Sequence, residues 1–148
     1  MKKRFAFVMA LLILLLPLTA CAGGGGSEDG VIEIGDRFFA AEFNEIQFNH
    51  AQYLGREIRY EGNFWASYWP ASGKVHYFVT RMLFGCCGDD GFIGFELRLD
   101  GFEPFEDDTW VEVTGILEAY EFEGQTFLRL AVTSLVELPE RGNEWVRF

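Results

Sequence analysis

The sequence predicts a mainly β domain: a five-stranded OB-like antiparallel barrel with one N-terminal helix packed on it. Near the start of the domain, apolar residues recur every three or four positions, which is the period of a helix. After Gly55 the period falls to two, and segments of strand length alternate with glycine- and proline-containing turns. With 16 phenylalanines in a chain of 148 residues, the domain has enough apolar mass to fold alone.

The helix is predicted from position 37 to about position 49. Phe39, Phe43 and Ile46 follow one another at four- and three-residue spacing, which places them on one helical face. Asp36 precedes this segment and is a residue type that caps helix N-termini. We expect the apolar face to lie across one mouth or face of the sheet.

Five strands are predicted from the two-residue period. We place them at 58–68, 75–84, 93–99, 110–120 and 126–138. Three connections separate the later strands: a glycine-flanked bend at 85–91, an acidic loop at 101–108 and a hairpin turn at 121–125. Three aromatic residues lie at or just after the end of the first of these strands: Trp65, Tyr68 and Trp69.

The N-terminus has the layout of a bacterial lipoprotein signal. A basic start at 2–4 is followed by an apolar run at 5–17 and by Leu18-Thr19-Ala20-Cys21, which resembles a lipobox. The run is shorter than the about 20 residues that span a bilayer, which argues against an uncleaved anchor. A plain secretory signal would leave Cys21 free. We therefore predict that residues 1–20 are a signal peptide and that Cys21 is the lipidated first residue.

The remaining chain divides into a tether, a domain and a tail. Residues 21–30 are rich in glycine and lack side chains that could bury surface, so we predict a flexible tether. The OB-like domain is predicted at 31–138, and a C-terminal tail at 139–148. This organisation predicts a protein held by lipid to the cell membrane, on its extracytoplasmic side.

The charge of the mature chain argues against nucleic acid as a partner. Removing residues 1–20 takes away three basic residues and no acidic ones, which leaves nine basic and 23 acidic residues and a formal charge of −14. A strongly acidic protein repels phosphate backbones.

Reactive side chains concentrate in the bend at 85–91. Cys86 and Cys87 are separated from Asp89 and Asp90 by Gly88 alone, and glycines also flank the segment at 85 and 91. Adjacent residues on a regular strand point to opposite faces, so the two thiols can act together only if the backbone turns between them. Consecutive Cα atoms lie about 3.8 Å apart, below the about 4.4 Å that disulfides usually need. A disulfide between them would be strained and easily reduced.

Three interpretations of this candidate functional bend are open. The thiolates of Cys86 and Cys87, with Asp90, Asp89 or His76, are ligand types that zinc accepts. The cysteines are alternatively a redox pair outside the cytoplasm, or one is buried in the barrel while the other stabilises the bend. Separated C-x-x-C pairs, the usual zinc signal, are absent from the sequence.

Several short motifs follow one another in a characteristic order. They are Asn44–Asn49, Tyr53–Ile58, Tyr60–Gly62, Phe78–Arg81, Cys86-Cys87, Asp90 and Trp110–Gly115. Together they resemble the C-terminal domain of YcgQ-like proteins, which are described as subunits of a two-component bacterial membrane permease complex. The resemblance covers most of residues 31–138. Members of that family carry N-terminal membrane helices, where this chain has a lipoprotein-type signal.

No catalytic pattern is visible in the sequence. It shows no serine, histidine and acid arrangement, phosphate loop or dinucleotide fingerprint, and His76 stands in an apolar strand that is typical of a packed histidine. We predict no enzyme activity. The predicted function is a lipid-anchored binding or interaction domain, an accessory subunit of a membrane permease as the resemblance implies, with zinc binding or thiol redox chemistry as the alternative.

Overall fold

The computed structural model describes residues 30–85 and 88–147, with the backbone alone at 85 and 88–90. The predictions for the signal peptide, Cys21, Cys86 and Cys87 fall outside the described residues, as do those for the side chains of Asp89 and Asp90. The elements in chain order are β1 (Ile32–Glu33), α1 (Phe39–Phe48), β2 (Glu57–Trp69), β3 (Lys74–Gly85), β4 (Gly88–Arg98), β5 (Trp110–Phe122), β6 (Gln125–Glu137) and β7 (Trp145–Val146).

Strands β2 to β6 close into the predicted five-stranded OB-like barrel. β3 pairs with β2 and β4, and β5 pairs with β2 and β6, all antiparallel. The barrel is closed by β4 and β6, which run parallel. The prediction of a fully antiparallel barrel therefore needs one correction, because strands of alternating direction cannot close a ring of five.

Helix α1 covers one end of the barrel, as its apolar period predicts. Phe39, Phe43 and Ile46 are all buried. The ring of Phe43 lies 4.5 Å from that of Phe95 on β4, and the ring of Phe39 meets Tyr60 on β2 edge to face at 5.7 Å. No helix within 30–85 or 88–147 is both long enough and apolar enough to cross a membrane.

Asp36 does not cap the helix as predicted. It begins a 3-10 turn, Asp36–Phe38, and no side-chain hydrogen bond caps that turn or α1. Its carboxylate instead accepts from Nη1 of Arg81 at 2.5 Å. Arg81 is only 1% exposed; its Nε donates to the carbonyl oxygen of Glu61 at 2.7 Å, and its guanidinium lies over Phe39 at 4.4 Å. Burying a guanidinium without such partners would cost more free energy than a helix cap contributes, so Asp36 pairs with Arg81.

Tyr60 joins three strands at the centre of the core. Its hydroxyl donates to the carbonyl oxygen of Val79 on β3 at 2.8 Å and accepts from the backbone N–H of Phe95 on β4 at 3.0 Å. Burial raises the pKa of this phenol well above its ordinary value, so it remains a neutral donor.

The predicted bend at 85–91 is much shorter than expected. β3 and β4 remain paired as far as Gly85 and Gly88, so four of the seven positions belong to β4. The register shifts there: Leu83 pairs with Gly91 and Phe84 with Asp89, which leaves one extra residue on β4. Gly91 has a φ of 119°, which favours glycine. Such a bulge lets the strands continue where the sequence indicates a break.

The C-terminal residues assigned to the tail include a short strand. β7 pairs in parallel with β3, and the backbone N–H of Met82 donates to the carbonyl oxygen of Glu144 at 2.8 Å. Val146 is buried, with 3% of its surface exposed. Residues 144–146 therefore pack against the barrel. The acidic loop is anchored as expected, since Phe102 and Phe105 pack on the core.

Two glycines allow β2 and β4 to approach β3 closely. A Cβ atom at Gly94 would lie 2.0 Å from the carbonyl oxygen of Val79 and 2.7 Å from the Cα of Thr80. A Cβ atom at Gly62 would lie 2.8 Å from the carbonyl oxygen of Thr80. Both contacts involve backbone atoms, which cannot be relieved by a side-chain rotation.

We predict that Gly94→Ala lowers the free energy of unfolding by about 3 kcal/mol, because β4 must move away from β3. Gly35→Ala is the control: nothing lies within 4 Å of its Cβ position, and its φ of −87° suits alanine. We expect it to change stability by less than about 0.5 kcal/mol. Urea denaturation followed by circular dichroism measures both, and equal stability of the two variants would contradict this account of the close approach.

Candidate functional site

An aromatic groove runs over the outer face of β2, β3 and β4. It has a volume of about 550 Å³, and none of its described lining residues is charged. We call this surface the aromatic groove; its lining residues are Trp65, Ala66, Ser67, Trp69, Phe78, Thr80, Phe92 and Gly94.

The side chains reach this face because of the register of the strands. Trp65 lies opposite Phe78 on β3, and Thr80 lies opposite Gly94 on β4. The rings of Trp65 and Phe92 are 6.1 Å apart, which brings together aromatic residues from two strands that flank β3. Phe92 keeps 64% of its surface exposed. Large aromatic side chains left open to solvent in one depression are typical of a binding surface.

The floor of the groove carries a polar atom without a partner. Thr80 Oγ1 is buried and has no hydrogen-bond partner among the described residues. The same holds for Oδ1 of Asn63, which lies opposite Thr80 on β2 but does not line the groove. Thr80 is 8% exposed and Asn63 is 4% exposed. A buried polar atom left unpaired costs about 1–3 kcal/mol. The groove therefore offers the hydroxyl of Thr80 to a ligand that supplies a hydrogen-bonding group.

The sequence indicated only part of this groove. Trp65 and Trp69 belong to it, but Tyr68 points to the other side of β2 and is 62% exposed outside the groove. Phe78 and Phe92 were not predicted, because their place beside the tryptophans depends on pairing between strands.

A second polar cluster lies next to the groove, at the start of β3. The side chains of Ser72, His76 and Glu96 form a chain of hydrogen bonds: Ser72 Oγ is 2.8 Å from His76 Nε2, and His76 Nδ1 is 2.7 Å from Glu96 Oε1. The ring of Trp69 stacks on the ring of His76 at 4.3 Å. The expectation that the chain has no serine, histidine and acid arrangement is therefore wrong.

This arrangement depends on tertiary structure, and the sequence contained only a weak signal for it. Ser72 lies in the turn between β2 and β3, His76 follows four residues later, and Glu96 comes from the neighbouring strand β4. The serine and the histidine, four residues apart across a tight turn, are the two members of the cluster that the sequence could have indicated. The acid is 20 residues away from the histidine along the chain.

The acid of this cluster has further partners. The hydroxyl of Tyr120 on β5 donates to Glu96 Oε2. Burial is the main cause that raises the pKa of the Tyr120 phenol, and the hydrogen bond to Glu96 is the second, so the phenol stays protonated and acts as a donor.

A group of charged side chains lies beside this cluster. Arg129 lies over the Tyr120 ring at 4.7 Å. Glu118 accepts hydrogen bonds from Arg98 and Arg129, and the bond from Arg98 contributes most to lowering the pKa of Glu118.

Of the candidate metal ligands, the structure describes the side chain of His76 alone. His76 lies near the start of β3, nine residues before Gly85, where that strand ends. At about 3.3 Å per strand residue, this separation is about 30 Å. Within the described part of the chain, no group of three or more His, Cys, Asp or Glu side chains could hold a metal ion. The other candidates, Cys86, Cys87 and the side chains of Asp89 and Asp90, lie outside that part.

Comparisons with known proteins give one family. A search of the curated proteins found no match. Among solved structures, a small single-stranded DNA-binding protein from Streptomyces coelicolor is similar, with a TM-score of 0.34 and 18% sequence identity over 58% of this chain and 96% of that chain. The profile of the DUF1980 C-terminal domain matches residues 23–146, which confirms the resemblance to the C-terminal domain of YcgQ-like proteins. The chain belongs to the DUF1980 C-terminal domain family.

Proposed function

We propose that this chain is a binding module of the cell envelope, held to the membrane by lipid on Cys21, and that its aromatic groove docks an integral membrane protein. The observation that carries the proposal is the groove itself: four aromatic side chains from three strands surround a floor that holds the hydroxyl of Thr80, which has no partner among the described residues. Buried aromatic anchors in such a depression commonly contribute most of the affinity of an interface.

The chemistry of the groove indicates which kind of segment it accepts. Its described lining has no cation, so it lacks the basic groove that single-stranded nucleic acids need besides aromatic rings. The hydroxyl of Thr80, which has no partner among the described residues, can accept or donate a hydrogen bond. A short uncharged peptide loop with apolar side chains supplies backbone N–H and C=O groups of this kind. We therefore propose an apolar extracytoplasmic loop of a membrane protein as the occupant.

The resemblance to YcgQ-like proteins supports a permease as this membrane protein. In those proteins, membrane helices hold the domain at the bilayer. In this chain the lipid on Cys21 would do so, with residues 22–30 as the tether. Nine flexible residues span about 17 Å on average, which keeps the domain within reach of short extracytoplasmic loops.

Photo-crosslinking in native membranes tests the occupant of the groove. A photoreactive amino acid at Ser67, which lines the groove, is expected to give an adduct with an integral membrane protein. Trp65→Ala is expected to weaken binding of that protein by about thirtyfold, or about 2 kcal/mol, because it removes an aromatic anchor. Binding is measured with the purified partner in detergent.

Tyr68→Ala is the matched control for Trp65→Ala, because Tyr68 is an exposed aromatic residue on the same strand outside the groove. We expect it to bind as the unchanged protein does. Adducts only with soluble proteins, with glycans or with a second copy of the chain would overturn the docking proposal, and so would equal weakening by both substitutions.

Membrane attachment is tested separately with Cys21→Ala. We predict that the unchanged protein sediments with membranes and partitions into detergent, whereas the variant does neither, because no other residue can take the lipid. A variant with alanine at Cys86 and Cys87 is the control and should remain in the membrane fraction. Equal sedimentation of Cys21→Ala and the unchanged protein would contradict the lipid anchor.

Zinc binding or thiol redox chemistry at the paired cysteines is the second candidate function. It is favoured by the pairing of Gly85 with Gly88, since Cys86 and Cys87 are the only residues between these strand ends. We predict bound zinc in the purified protein and its loss in a Cys86→Ser, Cys87→Ser double variant, measured by elemental analysis. If both samples lack zinc, thiol titration with and without reductant tests the redox alternative; two free thiols in each case would exclude it.

A further inference from the structure

We propose that Ser72, His76 and Glu96 form a catalytic triad that gives this domain a serine-dependent activity toward small carboxylic esters. The proposal rests on hydrogen bonds among these three residues and does not depend on what occupies the aromatic groove or on the lipid anchor. Such constellations are recognised by geometry and roles, and they occur on unrelated folds.

The direction of the hydrogen bonds follows from the acid. The carboxylate of Glu96 can only accept, so His76 carries its proton on Nδ1 and donates it to Oε1 at 2.7 Å. The hydroxyl oxygen of Ser72 accepts from the backbone N–H of Lys74 at 3.3 Å. Its one proton can be donated to the carbonyl oxygen of Trp69 at 3.2 Å or, over the shorter distance of 2.8 Å, to the lone pair on Nε2 of the neutral ring. The distance to Nε2 is one at which a base takes the proton of an attacking hydroxyl.

The surrounding residues hold the base in place. His76 and Glu96 are 13% and 10% exposed, so water does not compete strongly for their hydrogen bond. The ring of Trp69 covers one face of the imidazole. Tyr120 donates to the second oxygen of Glu96, which orients the carboxylate. Tyr120 and Trp69 are thus positioning residues, which act through Glu96 and His76.

The triad opens into a pocket that can hold a small substrate. This pocket has a volume of about 430 Å³ and is lined by all three triad residues. Lys74, Arg98 and Arg129 also line it. Arg98 and Arg129 are paired with Glu118, which leaves Lys74 as the cation of the described lining that could stabilise the negative charge of a tetrahedral intermediate. The pocket also has apolar lining from Val75 and Phe122, which suits the acyl or alkyl part of an ester.

The reaction balances with water as the second substrate. Ser72 Oγ attacks the ester carbonyl carbon, its proton passes to His76 Nε2, and a new C–O bond forms. The bond to the leaving alcohol breaks, and His76 returns the proton to that alkoxide. Water then attacks the acyl-serine, again losing a proton to His76. The products are the carboxylic acid and the alcohol, and Ser72 regains its hydroxyl.

A fluorophosphonate probe tests the nucleophile in the full-length lipoprotein. Attack by Ser72 forms an O–P bond and releases fluoride, while the serine proton leaves through His76 to water. We expect peptide mass spectrometry to find the adduct on Ser72. His76→Gln and Glu96→Gln should each slow labelling by about a hundredfold or more, because base and orienting acid commonly contribute that much. The same variants should lose hydrolysis of p-nitrophenyl acetate.

Ser134→Ala is the control, since this serine lies on β6 opposite Thr114 and lines neither the groove nor the triad pocket; it should label and hydrolyse as the unchanged protein does. Circular dichroism shows which variants fold. If His76→Gln does not fold, the labelling rate of Glu96→Gln decides the test.

Tyr120→Phe should shift the pH at which labelling is half-maximal, whereas a merely structural role would leave that pH unchanged. No adduct on Ser72 in the folded protein, or labelling that neither His76→Gln nor Glu96→Gln slows, would overturn the proposal.

Discussion

The parallel seam between β4 and β6 is the constraint on which the rest of the structure depends. It consists of three residue pairs, Glu96 with Arg129, Leu97 with Leu130, and Arg98 with Ala131. All other pairings in the barrel join strands that are consecutive in sequence or run antiparallel over longer stretches. Only this seam converts the sheet into a closed barrel. It buries Leu97 and Leu130 in the core and, on the outer face, sets Glu96 beside the residues of β5 and β6.

In the closed barrel both neighbours of β3 approach it closely at Val79 and Thr80. Gly62 and Gly94 make this approach possible because a Cβ atom at either position would meet the backbone of β3. The same crowding buries the hydroxyl of Thr80 without giving it a partner in the described residues. The cost of such an atom is about 1–3 kcal/mol, and a ligand that supplies a hydrogen bond would recover part of it. The geometry that closes the barrel thus also shapes the floor of the aromatic groove.

Trp69 belongs to both surfaces for which we propose a function. One part of its environment is the groove, where its ring lies 6.1 Å from that of Phe78. The other is His76, on which it stacks at 4.3 Å. An occupant that displaced the indole would therefore also disturb the imidazole of the proposed triad. The docking surface and the chemistry of the second pocket are physically coupled through this one side chain.

The sequence by itself determined the class of the fold and most of its elements. The period of Phe39, Phe43 and Ile46 predicted the buried face of α1, and the two-residue period predicted five strands, because both patterns are local consequences of backbone geometry. The acidic composition and the N-terminal pattern likewise belong to the sequence alone. Only the tertiary structure decided that one strand pair is parallel, that Asp36 binds Arg81 instead of capping a helix, and that Phe92 lies beside Trp65. It also decided that Glu96 meets His76, since register between strands is set by the packing of the whole barrel and no local pattern encodes it.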